Sequence, residues 1–99
     1  MNHTVVYSKR AEADFLSIYR FIAASSGYER ALNYTARIRA FCLSLETFPE
    51  RGVSWKHLAS GLRVVGFERR VSIAFRVTAD AVTILRVLYG GRDLNRALE

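Results

Sequence analysis

Hydrophobic positions along this chain follow two periods in turn. Thr4 to Tyr7 is short and β-prone, which predicts a first strand at a sheet edge. Apolar residues then recur at helical steps: Ala11, Phe15, Ile18 and Ile22 share one face. Ser8 stands just before them, where a hydroxyl can accept from an early backbone N–H and cap a helix. The spacing predicts a helix ending near Ala24, followed by a Ser25-Ser26-Gly27 turn. Leu16 lies well off the stripe and Phe21 near its margin, and they read as rim positions ahead of the alternative, contacts to a partner. A second stripe, Ala31, Tyr34, Ile38, Phe41, Cys42 and Leu45, predicts a helix from about Glu29 to Thr47, with Asn33, Arg37 and Ser44 turned away. The short linker implies an antiparallel helix hairpin. Phe48-Pro49-Glu50-Arg51-Gly52 ends it, because proline cannot continue a helix and disfavours helix at the residue before.

From there the period falls to two. Val53 to Ser60, with Trp55, Lys56 and His57, is irregular: a loop or a short edge piece. Gly61 to Val65 reads as a strand, and Gly66 to Arg70 as a polar connection. Val71, Ile73, Phe75 and Val77 alternate with Ser72, Ala74, Arg76 and Thr78, as a half-buried strand requires. A tight turn over Thr78-Ala79-Asp80 leads into Val82–Tyr89. That last run is apolar at both parities: Val82, Ile84 and Leu88 on one side, Leu85, Val87 and Tyr89 on the other. Such a strand belongs inside its sheet. Gly90-Gly91 stops it, and the tail offers one or two helical turns through Leu94 and Leu98. The order strand, helix hairpin, three strands predicts a two-layer α+β domain over residues 1–99, the hairpin packed on a mainly antiparallel sheet.

Composition adds a charge asymmetry. The net charge is +6. Up to Glu50 there are six Lys/Arg against five Asp/Glu; from Arg51 onward there are nine against four. The positive field of the second half suits a nucleic acid or an acidic protein segment, or serves solubility alone. No apolar run approaches the ~18 residues of a membrane span, and Met1 to Tyr7 lacks the pattern of a secretory signal. Cys42 stands alone on an apolar stripe and reads as a buried, inert thiol. Together these features predict a cytoplasmic protein without disulfides.

Candidate chemistry is sparse. Gly90-Gly91 lacks the lysine and following helix of a phosphate loop. His3 and His57 are far apart in sequence, so no metal-ligand spacing is present, and Ser60-Gly61 is not a nucleophile elbow. No cofactor is implied. What remains is a set of cations: Lys56, Arg63, Arg69, Arg70, Arg76, Arg86 and Arg92. Arg63, Arg76 and Arg86 come from three successive strands and are expected on a common face. Such a cluster would offset charge in metal-free RNA cleavage, for which His57, Tyr89 and Lys56 are the candidate proton-transfer groups. The alternative for each arginine is a solvated face, or a pair with Asp80, Glu68 or Asp93.

Gly61-Leu62-Arg63, Phe75-Arg76-Val77 and Ile84-Leu85-Arg86-Val87-Leu88-Tyr89-Gly90-Gly91-Arg92-Asp93, in this order, resemble the ParE branch of the ParE/RelE toxin superfamily. The opening helix with Ala11, Asp14 and Ile18, the second helix with Ala31 and Tyr34, and the Phe48–Gly52 stop are similar as well, so the resemblance covers nearly the whole chain. It implies a toxin of a bacterial type II toxin–antitoxin pair, with the last strand interior to the sheet. ParE-type members poison DNA gyrase and are held by an antitoxin, usually ParD-like, whose C-terminal segment wraps the toxin. RelE-type members cut messenger RNA on the ribosome, using strand-borne basic residues and a Tyr or His close behind the last arginine. Here Asp93 to Glu99 contains neither, which favours the ParE branch; Phe75 departs from it, standing where a Tyr often precedes Arg-Val.

The candidate binding residues are therefore Arg63, Arg76, Arg86, Tyr89, Arg92 and Asp93, with no catalytic residue assigned. Arg92 and the tail come first for a target contact, since a cationic end reaches grooves that a compact body does not. The partners expected are a ParD-like antitoxin with an acidic C-terminal segment and DNA gyrase, without a membrane and with direct nucleic-acid contact left open. The other readings are a RelE-like ribosome-dependent endoribonuclease and a non-toxic basic nucleic-acid-binding module.

Overall fold

The computed structural model describes residues 3–90 and 94–98. Five strands form one mixed sheet: β1 Thr4–Tyr7, β2 Val53–Ser54, β3 Leu62–Phe67, β4 Val71–Val77 and β5 Ala81–Tyr89, in the spatial order β1-β5-β4-β3-β2. Helices α1, Lys9–Ser26, and α2, Tyr28–Leu43, are joined through Gly27, and a 3-10 turn covers Ser44–Glu46. A short helix α3, Leu94–Leu98, closes the described chain. The architecture is α+β, as the periodicity implies, with β2 as a fifth, two-residue strand.

Ser8 does more than cap. Its Oγ accepts from Ala11 N–H at 3.0 Å and donates to the Leu85 carbonyl at 2.9 Å. Its own N–H donates to the Ile84 carbonyl at 2.9 Å, so the start of α1 is stitched to the edge of β5. The helix runs to Ser26, two residues past the expected end, where the Ser25 hydroxyl bonds back to the Phe21 carbonyl. Gly27 takes φ +95°, a conformation only glycine adopts readily, and so reverses the chain in one residue. Helix α2 ends at Leu43 rather than Thr47, its last turn tightening into the 3-10 segment.

β5 is interior over its first half, with β1 parallel on one edge and β4 antiparallel on the other. Between Ala74 and Phe75 the register shifts: Phe75 faces Ile84, but Ala74 faces Arg86. Leu85 is the unpaired extra residue of a bulge, and every side chain after it changes face. Val82, Ile84, Val87 and Tyr89 therefore share the helix-facing side, while Thr83, Arg86 and Leu88 share the other. This corrects the strict alternation expected from sequence.

The helix-facing side carries the main core. Phe15, Ile18, Ala31, Ile38, Cys42 and Leu45 meet Ile73, Phe75, Val82, Ile84 and Val87, all buried. Aromatic rings fill the space toward β3, with Phe41–Phe67 centroids 5.3 Å apart and Tyr34–Phe67 at 6.2 Å. Leu16 and Phe21, expected at the rim, are 49% and 59% exposed. On the opposite face Leu62, Ala74 and Leu88 are also buried, and α3 lies against β5. The β3–β4 turn holds Glu68 at φ 49° and Arg69 at φ 63°, a strained conformation for residues bearing a Cβ.

Candidate functional site

Arg86 is a lone charge in an apolar strand, and its environment explains it. Its Nε and Nη2 donate to the two Asp14 carboxylate oxygens at 2.8 and 2.9 Å. The same carboxylate accepts the Val87 N–H at 2.8 Å. Asp14 comes from the buried stripe of α1, and the two side chains are only 13% and 9% exposed. The hydrogen bond to Asp14 holds the Arg86 guanidinium firmly protonated against the opposing effect of burial. Nη1 reaches on to the Ala97 carbonyl at 3.2 Å, so one residue joins α1, β5 and α3.

The other arginines do not join it. Arg63 faces Phe75 across β3–β4 and so lies on the helix-facing side. Its guanidinium donates to the carbonyls of Arg51, Glu50 and Gly52 at 3.0, 2.9 and 3.2 Å, pinning that loop. Gly52 is required there: at φ +75°, a Cβ would run into the Val64 carbonyl. Arg76 faces Leu62 on the opposite side of the sheet and is exposed, with no side-chain partner among the described residues. The common face expected for Arg63, Arg76 and Arg86 is thus not formed. Of the carboxylates expected as partners, Glu68 pairs instead with Arg37, at 2.8 Å. That pairing, through its hydrogen bond, holds the Glu68 carboxyl below the usual range. Asp14, the partner Arg86 does have, was not among the carboxylates considered. Its signal was present, however: a single carboxylate on the buried face of the first helix.

Tyr89 stands at the far end of the sheet, opposite Val71. Arg63 lies four residues along β4 from that row, about 13 Å at strand spacing. Tyr89 packs edge-on against Tyr34 at 6.0 Å and against Phe21 at 5.6 Å. Burial, aided by the negative field of Glu68, raises the Tyr34 hydroxyl pKa. Lys56 and His57 are exposed beyond β2, with the His57 ring 5.6 Å from Trp55. The candidate proton-transfer groups and the guanidiniums therefore do not converge among the described residues. No group of three or more His, Cys, Asp or Glu among those residues is placed to hold a metal ion. Arg92 and Asp93 lie outside the described residues.

What the fold does build is a groove beside α1. One hollow of about 330 Å³ lies between α1 and the end of β5, lined by Asp14, Ser17, Ile18, Phe21, Val87, Tyr89 and Gly90. A second, of about 420 Å³, shares Phe21 and Tyr89 with it and adds Arg30, Asn33, Tyr34, Arg37, Glu68 and Arg70. The first wall is mainly apolar and the second is rich in cations. None of the described helices is long and apolar enough to cross a membrane.

Comparison with known proteins places this architecture. The family model described as ParE toxin of type II toxin-antitoxin system, parDE, matches residues 5–94. A solved structure titled "Chromosomal ParDE TA system from P. aeruginosa" is similar with a TM-score of 0.77 and 26% sequence identity, covering 90% of this chain and 97% of that one. A search of curated proteins finds no match.

Proposed function

The chain belongs to the ParE toxin family, and from that premise we propose that it arrests growth by binding DNA gyrase and holding it in a non-productive state. In this reading it acts in the cytoplasm as an interaction protein, not an enzyme, and a ParD-like antitoxin with an acidic C-terminal segment neutralises it. One observation carries the preference over RNA cleavage: the basic and proton-transfer groups are dispersed. Arg63 is committed to three loop carbonyls, Arg86 to Asp14, and Tyr89 to an aromatic cluster at the other end of the sheet. Metal-free phosphodiester cleavage needs such groups around one reacting centre. A holding mechanism needs only surface, and Arg76 is exposed on the face away from the hairpin; Arg92 and Asp93, which lie outside the described residues, complete the proposed contact.

The experiment is a supercoiling and DNA-cleavage assay of gyrase with the purified protein, run beside a translation reaction scored for cut transcripts. Inhibited supercoiling or accumulated cleaved DNA, with intact transcripts, is the expected result. Severed transcripts with unimpeded gyrase would overturn the reading.

A further inference from the structure

The β3–β4 turn is strained at two positions, and only one of them serves the fold. The Arg70 N–H donates to the Phe67 carbonyl at 3.2 Å and closes a turn whose central residues, Glu68 and Arg69, stand at φ 49° and 63°. A turn with both central residues at positive φ favours Asn-Gly, which enters that region without a steric penalty. Glu68 is accounted for. Its carboxylate accepts from Arg37 Nε and Nη2 at 3.1 and 2.8 Å and braces the turn against α2. The Gly90 N–H holds the base of the turn through the Arg70 carbonyl at 2.7 Å. Arg69 has no such duty: it is exposed, and no side-chain partner meets it among the described residues. A braced, strained turn that displays an idle guanidinium is a feature of the kind found where a protein meets a partner.

Two more cations stand at the same end of the molecule. Arg70 follows in the chain, and Arg30, from the first turn of α2, lines one hollow with it. Both are exposed and without side-chain partners among the described residues. Glu68, the one carboxylate in that lining, is already held by Arg37. The rings beside the turn, Tyr34, Phe67 and Tyr89, pack against one another. This end therefore offers positive charge rather than a stacking platform. Single-stranded nucleic acids are held by charge and stacking together, whereas the backbone of a duplex is held by cations alone.

We propose that this end of the molecule binds the phosphate backbone of duplex DNA, with Arg69 at the apex of the turn and Arg30 and Arg70 behind it, each on one phosphate. Phosphate contacts carry no sequence information, so the binding is sequence-independent and steeply salt-dependent. The brace from Arg37 to Glu68 fixes the backbone that carries Arg69, so less order is lost on binding. That the duplex is the one gyrase acts on rests on the reading given above; the turn and its cations do not.

The test titrates the full chain into a labelled duplex of ~20 base pairs and arbitrary sequence, followed by fluorescence anisotropy from about 50 to 200 mM salt. Three phosphate contacts give a slope of about −2.7 in log affinity against log salt. Arg69→Gln should flatten that slope by about 0.9, and Arg30→Gln with Arg70→Gln by about 1.8. Arg10→Gln removes the same charge at the start of α1, the end of that helix away from the hollow, and should leave the slope unchanged. Arg69→Gly should raise the urea midpoint, because glycine relieves the positive φ, while weakening DNA binding as Arg69→Gln does. An equal loss from Arg10→Gln would overturn the proposal by reducing it to net charge. So would tighter binding of a single strand or an RNA duplex of the same length, or of a polyglutamate peptide, which would assign the cations to a protein. Gyrase assays run in parallel separate the two readings. Protein that binds the duplex with the expected slope yet leaves gyrase unhindered sinks the gyrase reading and supports this one; protein that inhibits gyrase without binding the duplex does the reverse.

Discussion

Asp14 is a single position on which much of the stability depends. Replacing it with alanine removes the acceptor of three hydrogen bonds, two from Arg86 and one from Val87 N–H. Breaking a buried ion pair by deleting one partner costs about 3–5 kcal/mol, because the other charge stays buried and unpaired. An orphaned buried N–H adds about 1–3 kcal/mol. Two features reduce the total. Arg86 keeps the Ala97 carbonyl, and its side chain retains 13% exposure, so water can reach it. The net expectation is a loss of about 3–4 kcal/mol. Domains of this size have about 5–15 kcal/mol in all, and each kcal/mol moves the melting temperature by about 4–8 °C, so the variant should melt at least 12 °C lower.

Urea unfolding followed by circular dichroism measures this directly. Asp14→Asn keeps an oxygen for the Val87 N–H and should recover about 1 kcal/mol of the loss. A double-mutant cycle with Arg86→Met isolates the pair, and a coupling of at least about 2 kcal/mol is expected. An Asp14→Ala variant that loses under about 1 kcal/mol, with an unchanged denaturant slope, would refute the idea that this carboxylate holds α1 to β5.

Two further outcomes follow from the same geometry. Burial pushes the Cys42 thiol from 9.0 up to about 11, so the unfolded chain gives up that proton first as pH rises and stability falls between those values. Urea midpoints at pH 8.5 and 10.5 should separate the wild type from Cys42→Ala by up to about 2 kcal/mol in pH dependence, and identical slopes would contradict the assigned burial. Arg63→Ala should cost about 1–2 kcal/mol by freeing the Glu50–Gly52 carbonyls, yet leave growth arrest largely intact. Complete loss of toxicity with a native circular dichroism spectrum would bring back the ribonuclease reading.

The elements that were legible in sequence are those whose burial is one-sided. Ala11, Phe15, Ile18 and Ile22 mark a helix face whatever they pack against, and Val71, Ile73, Phe75 and Val77 mark a strand face. β5 was legible as interior because both parities are apolar, but the same property hid its bulge. With Leu85 and Val87 both hydrophobic, the pattern is silent about a one-residue slip, and only pairing with β4 decides which side Val87 and Tyr89 occupy. Likewise, nothing local tells β1 to pair in parallel with a strand more than seventy residues away.

Arg86 and Asp14 show how such long-range information is nonetheless written. Asp14 is the one charge on the buried stripe of α1 and Arg86 the one charge in the apolar run of β5, and neither is tolerable there alone. Two such misfits of opposite sign, on elements that the layer architecture stacks together, have one inexpensive arrangement, which is to meet. Considered with the expectation that α1 packs on the sheet, that pairing was available before any coordinates. It would have removed Arg86 from the list of free cations and left Arg76 as the strand-borne charge open to a target.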